Sequence, residues 1–334
     1  MLAAANELPI RVSPGFGGRP RQGINRVILG YMQSIPPQDA SHLTGHLASH
    51  FDPRVLVVHG PATPQVPLVL DSPHSGRHMP EDFNSRLSAD DLRDGEDCFI
   101  DQLYLPATQR GVPLLAAQYP RTYLDPNRHA GDIDLALLGC EWHHEHVPSG
   151  KASIGKALIW RTLDDGRELY DRKLSVDEIQ SRVQRYHRPY HAALRQLLDS
   201  AHQRFGAVYH INCHSMNAVS GTQGEGGKGQ SRADFVLGDR DGSTCTPEFT
   251  ALVREQMRAH GYDVKINDPF KGVELVRAYS HPAGGRHSLQ VEINKRLYMN
   301  EARREPIAHF PVLQSQLMQM IDAVCAHFSP QLKP

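Results

Sequence analysis

Three short strings in this 334-residue chain place reactive side chains where an apolar run gives way to polar residues: His74 in DSPHSGR (71–77), His214 in NCHSM (212–216) and Glu292 in QVEIN (290–294). Two imidazoles and a carboxylate, with one position left open for water, form a donor set suited to catalytic zinc. Such a site brings the bound water close to ionisation at neutral pH. The third donor would come from GEDCFIDQLY (95–104), where Glu96, Asp97 and Asp101 crowd ahead of an apolar turn. The same acids would equally suit a helix N-terminus, whose dipole they favour. Taken singly, each histidine is more often a hydrogen-bonded structural residue than a ligand. Their shared place at strand ends is what joins them.

Those strings need elements to hold them. VPLVLDSPHSG (66–76) is an apolar run stopped by Ser-Pro and Ser-Gly, the pattern of a buried strand entering a loop. VPLLAAQY (112–119), AVYHINC (207–213), DFVLG (234–238) and SLQVEIN (288–294) predict further strands. Ile179, Val183, Tyr186, Tyr190, Leu194, Leu197 and Ala201 recur at helical spacing, which predicts an amphipathic helix over 177–204 kinked at Pro189. A second helix over 247–261 starts after Thr246 with a proline and stops at Gly261, and Leu313, Leu317, Ile321, Val324 and Phe328 stripe a closing helix. Strands alternating with helices predict a three-layer α/β/α domain with a mostly parallel or mixed central sheet, one catalytic domain over 51–330. Open sheets of this kind bind ligands outside the carboxyl ends of their strands, so the three strings would converge. Residues 1–65 carry Gly/Pro punctuation around two candidate edge strands, Val27–Leu29 and Val55–Val58; residues 1–50 read as an N-terminal extension, and Gly221–Ser231 reads as a mobile surface loop.

Composition narrows the partners. Lys plus Arg number 36 against 37 Asp plus Glu, so no global field steers the chain to nucleic acid or an anionic membrane. A small molecule or peptide is the expected partner; the oligomeric state is not legible. The five cysteines are scattered and read as free thiols, and the N-terminus lacks the basic and apolar regions of a signal peptide. No run of 18 uncharged apolar residues occurs, and the expected location is the cytoplasm. Several motifs fail. GEGGKGQ (224–230) has Thr222 and Gly229 where a phosphate loop needs Gly and Ser or Thr, and WHHEHVP (142–148) puts Pro148 where a zinc-protease helix needs its second histidine. No G-x-S-x-G elbow is present. His187 and His191 share a helical face, where packing and hydrogen bonding outweigh ligation.

The strings PLVLDSPHSG, EDCFIDQLY, QYPRTYLDPNR, RPYHAALRQLLDSAHQRFG, NCHSM, FKG and SLQVEINKRLYM, in this order, resemble the N-formylglutamate amidohydrolase (N-formylglutamate deformylase) family from about Val66 to Met299. That family more distantly resembles zinc carboxypeptidases and aspartoacylases. The resemblance implies an α/β/α fold around a mixed sheet and one divalent metal, zinc foremost, held by His74, Asp97 and His214. It implies Glu292 as general base and a substrate carboxylate gripped by Asn127 and Arg128, with Arg121 to the same end. The implied activity is metal-dependent hydrolysis of the N-acyl, above all N-formyl, amide of an acidic amino acid, a step of histidine degradation. An unpaired glutamate inside so apolar a strand is costly, which favours the catalytic role over a structural pairing with Lys295. Arg77 stands where carboxypeptidases carry the glutamate of H-x-x-E, Asn212 where the family has an aspartate, and LDPNR where it has IDLNR. An exopeptidase, another acyl-amino-acid hydrolase or a non-catalytic carboxylate-binding protein would use the same fold.

Overall fold

The computed structural model describes residues 51–221 and 228–329. The expected extension over 1–50 and most of the expected 221–231 loop, residues 222–227, lie outside them. Strands β1 (Leu56–His59), β2 (Leu68–Ser72), β3 (Leu114–Ala117), β4 (Val208–Met216), β5 (Phe235–Gly238), β6 (Val264–Ile266) and β7 (Arg286–Asn294) form a seven-stranded sheet in the order β1-β3-β2-β4-β7-β5-β6. The middle of the sheet, β3-β2-β4-β7, is parallel, while β1 and β5 run antiparallel to their neighbours β3 and β7. The sheet is therefore mixed, and Val55–Val58 does contribute its edge. β6, a three-residue strand, is too short to announce itself by periodicity.

Alternation along the strands separates two cores. Leu68 and Leu70 of β2, Tyr209, Ile211 and Cys213 of β4 and Leu289, Val291 and Ile293 of β7 pack with helices α1 (Ile100–Tyr104), α4 (Pro247–Ala259) and α6 (Phe310–Phe328). On the opposite face Val69 and Leu115 pack with α2 (Val176–Arg182), α3 (Arg188–Phe205) and α5 (Glu274–Ala278). That face turns polar on the two central strands: the alternate residues are His210, Asn212 and His214 on β4 and Ser288, Gln290 and Glu292 on β7, all buried. Because β4 and β7 pair through nine consecutive positions, from Val208 opposite Arg286 to Met216 opposite Asn294, β4 runs three residues past the expected end at 213. The ladder is a backbone property and continues beneath the polar side chains, so His214 sits inside the strand.

The expected helix over 177–204 is divided by a π turn, Val183–His187, placed just before Pro189. Proline has no N–H and its ring would crowd the carbonyl four residues back, and the wider turn relieves both. α4 begins after Thr246, and α6 buries Leu313, Leu317, Ile321 and Val324 as its stripe requires. No helix among the described residues is long and apolar enough to cross a membrane.

Candidate metal centre and active site

β2 ends at Ser72, and the chain turns through Pro73, His74 and Ser75 to Gly76. A Cβ at Gly76 would stand 2.3 Å from the carbonyl carbon of Gln118, so only glycine lets this loop lie against the 118–119 backbone. The loop is stapled to the segment ahead of α1: the Asp97 amide donates to the His74 carbonyl (3.0 Å) and the Ser75 hydroxyl to the Asp97 carbonyl (3.1 Å). With Asp97 fixed beside His74, and His214 arriving on β4, the three side chains converge. His74 Nδ1 lies 3.3 Å and His214 Nδ1 3.0 Å from Asp97 Oδ2, and Ser215 donates to Asp97 Oδ1 at 3.0 Å. The facing atoms of all three lie within 4.8 Å of one another, and all three residues are buried. Glu96 is drawn away by Arg93 at 2.5 Å and Arg77 at 3.6 Å, and Asp101 opens helix α1.

The outer nitrogens of the histidines decide what the inner ones offer. His74 Nε2 is 2.7 Å from Asp125 Oδ1, and His214 Nε2 is 2.6 Å from Asn212 Oδ1. Asn212 is oriented in turn, since its Nδ2 donates to Asp71 Oδ1 at 2.7 Å. Asp125 is the acceptor behind His74, and behind His214 the acceptor Asn212 Oδ1 at 2.6 Å is closer than the Asn127 amide nitrogen at 3.2 Å, which favours the proton on Nε2 of both rings and leaves the Nδ1 lone pairs facing the Asp97 carboxylate. Three acceptors crowded together need a proton or a cation between them. Burial lowers the His214 imidazole below its ordinary value, which favours the neutral ligand form. For Asp97 burial pulls upward, yet a proton shared with His214 and His74 across these contacts holds its carboxyl below the usual range. The donor set of two imidazole nitrogens and one carboxylate oxygen fits a divalent ion.

Glu292 stands directly opposite His214 in the β4–β7 ladder. Gln290, two residues back on the same face, donates to Glu292 Oε1 at 2.8 Å. Burial, with the charge of Asp97 added, pushes the Glu292 carboxyl well above the usual range against the pull of Arg121 and Arg232. Lys295 turns elsewhere, donating to Asn217 Oδ1 at 2.9 Å. Arg121 donates to Asp125 Oδ2 through Nη2 (2.7 Å) and Nε (3.2 Å) and lies over the Trp160 ring. Arg128 donates to the carbonyls of Asn127 (2.9 Å) and Lys156 (3.2 Å). The Asn127 amide reaches Asn212 Oδ1 at 3.5 Å, and its oxygen accepts from the Leu275 amide at 2.9 Å.

Two residues the sequence did not single out are central to this arrangement. Asp125 joins His74, Arg121 and the Asn127 amide on one buried carboxylate. Burial opposes its charge, and Arg121, His74 and Arg128 still hold it well below the usual range. Asp71 accepts from Tyr190, His210 and Asn212. Asp125 lies within LDPNR and Asp71 three residues before His74, but acids beside candidate ligands carry no spacing signature of their own. His187 and His191 stack at 4.0 Å and bond the carbonyls of Arg128 and Pro126, both at 2.9 Å, so they hold the 125–129 turn. The 142–148 segment is a polar loop.

Fold and site fit the amidohydrolase class. The chain belongs to the N-formylglutamate amidohydrolase family, whose model matches residues 66–299. The N-formylglutamate deformylase of Pseudomonas putida is 29% identical over 77% of this chain and 92% of its own length. That of Pseudomonas aeruginosa is 29% identical over 71% of this chain and 84% of its length. The crystal structure of N-formylglutamate amidohydrolase from Ralstonia eutropha superposes with a TM-score of 0.77 at 42% identity, over 82% of this chain and 98% of that one. A gene product of Agrobacterium tumefaciens shares the fold, with a TM-score of 0.57 at 16% identity over 82% and 98%.

Proposed function

We propose that this chain hydrolyses the N-acyl amide of an acidic amino acid, N-formyl-L-glutamate foremost, releasing formate and glutamate. The observation that carries this reading is the convergence of His74, Asp97 and His214 beside Glu292 in a chain of this family. His74, Asp97 and His214 would hold one divalent ion, zinc foremost. Such an ion would supply Lewis acidity, acidifying a water and polarising the scissile carbonyl. Glu292 takes the proton of the attacking water and returns it to the departing amine nitrogen. Its environment suits both halves of that exchange, because burial stabilises the protonated form and Arg121 the ionised one. Arg128 and Arg121 bind the substrate's α-carboxylate through charge-assisted hydrogen bonds. Asn127 supports that contact from the turn on which Arg128 stands. Unpaired cysteines fit a reducing compartment such as the cytoplasm.

The test is turnover of N-formyl-L-glutamate by protein purified without chelator, with metal content measured on the same sample. We expect stoichiometric formate and glutamate, near one equivalent of divalent ion, and for Glu292→Gln a loss on the order of 10²- to 10⁴-fold in kcat with metal retained. Cleavage of acyl-dipeptides with N-formylglutamate untouched would move the chain to the exopeptidases. Full turnover by metal-free protein would remove the ion from the mechanism.

A further inference from the structure

Just past the carboxyl ends of β4 and β7 lies a cavity of about 290 Å³ whose walls include Glu96, Cys98, Asn217 and Lys295. These four wall residues lie close in sequence to the site residues: Glu96 and Cys98 flank Asp97, Asn217 follows His214 by three residues, and Lys295 follows Glu292 by three. The crevice beyond the carboxyl ends of parallel strands is where open α/β sheets take their ligands. Three cations reach this cavity. Arg93 is paired with Glu96 and Arg304 with Asp90, each at 2.5 Å. Lys295 is 8% exposed and bonds an amide oxygen, Asn217 Oδ1. Among the described residues it has no ion-pair partner. Of the other acids lining the cavity, Asp94 accepts from the amide of Asp164 at 2.9 Å and Glu301 from that of Ala218 at 3.0 Å, and neither forms an ion pair with Lys295. A buried lysine ammonium with no carboxylate in direct contact is costly, and a ligand carboxylate bound against it offsets that cost.

We propose that Lys295 binds the side-chain carboxylate of the substrate and so sets a preference for N-acylated dicarboxylic amino acids. The inference rests on the hydrolase reading above and deepens it: Arg121 and Arg128 take one carboxylate, and Lys295 takes the second across the reacting amide. Asn217 holds the ammonium in place, and the ligand carboxylate completes its coordination.

The experiment compares kcat/KM on N-formyl-L-glutamate and on N-formyl-L-glutamine, which matches it in shape and lacks the side-chain charge. Wild-type protein is expected to favour the glutamate on the order of 10- to 100-fold, the range of one charge-assisted hydrogen bond. Lys295→Met and Lys295→Gln should raise KM for the glutamate and leave kcat/KM for the glutamine within about 3-fold, abolishing the preference. Equal wild-type rates on the two substrates overturn the proposal whether or not either variant folds. Equal losses on both substrates in a folded variant overturn it too. Hydrolysis of neither substrate by wild-type protein is a different outcome, which removes the hydrolase reading itself.

Discussion

The two histidines are backed differently. Behind His74 stands the charged carboxylate of Asp125, whereas behind His214 stands the neutral amide of Asn212, with the charge of Asp71 one hydrogen bond further off. A carboxylate behind an imidazole makes the ring a stronger donor to a metal and fixes its orientation. Asp125→Asn should therefore weaken zinc binding roughly 10- to 100-fold, read by competition against a chromophoric chelator, with the circular dichroism spectrum unchanged. An affinity equal to wild type would show that Asp125 serves Arg121 and the 125–129 turn alone. The neighbourhood of the candidate ligands is partly legible: His74 and His214 stand out because each ends an apolar run, and an acid from 96–101 because three crowd ahead of an apolar turn. Choosing Asp97 from its acidic neighbours required the resemblance, and the structure supplies a physical separation, since Arg93 and Arg77 draw Glu96 away. Asp125 escaped because its partner His74 is 51 residues distant and no local pattern reports a contact of that range.

At the scale of elements, the strands were legible through their apolar faces and the site through the polar faces of the same strands. AVYHINC and SLQVEIN each hide an alternation, and only the pairing of β4 with β7 shows that His210, Asn212 and His214 share a face with Ser288, Gln290 and Glu292. Register between distant strands is a tertiary property, which is why β4 outran its expected end. Pro189 marked the break in the long helix, but the π turn that answers it depends on what the turn carries. That turn ends at His187, buried, with Nε2 bonded to the Arg128 carbonyl at 2.9 Å. Burial pushes the imidazole down to about 4. An imidazole depressed in the folded state and ordinary in the unfolded one contributes stability that is whole above about pH 6.5 and is lost as pH falls toward 4. The folded protein should lose a few kcal/mol over that window, seen as a fall in Tm from calorimetry at stepped pH. His187→Gln, which can still donate to Arg128, should flatten the slope while lowering Tm at pH 7 modestly. A slope identical in the variant would place the acid sensitivity elsewhere.

At the scale of the whole molecule, the candidate metal centre is where separate parts of the sheet domain meet. The loop after β2 brings His74, the segment before α1 brings Asp97 and β4 brings His214, while Asp71 and Tyr190 tie the same strands to α3. Without an ion, the three inward donors oppose one another and must share protons. With one, a single bond set joins three segments distant in sequence. Since the ligands converge only in the folded chain, an ion bound there adds stability by mass action, about 4 kcal/mol when free ion is a thousand times its Kd. In a domain of this size, each kcal/mol is worth roughly 2–4 °C. Exhaustive chelation at pH 7 should therefore lower Tm on the order of 10 °C. Returning one equivalent of zinc should restore it, and magnesium should not, since it prefers oxygen donors and keeps its waters. His214→Ala should start at the lower Tm and respond to neither chelator nor zinc. A chelated wild-type protein that melts where the untreated one does would show that these residues hold their positions by hydrogen bonds alone.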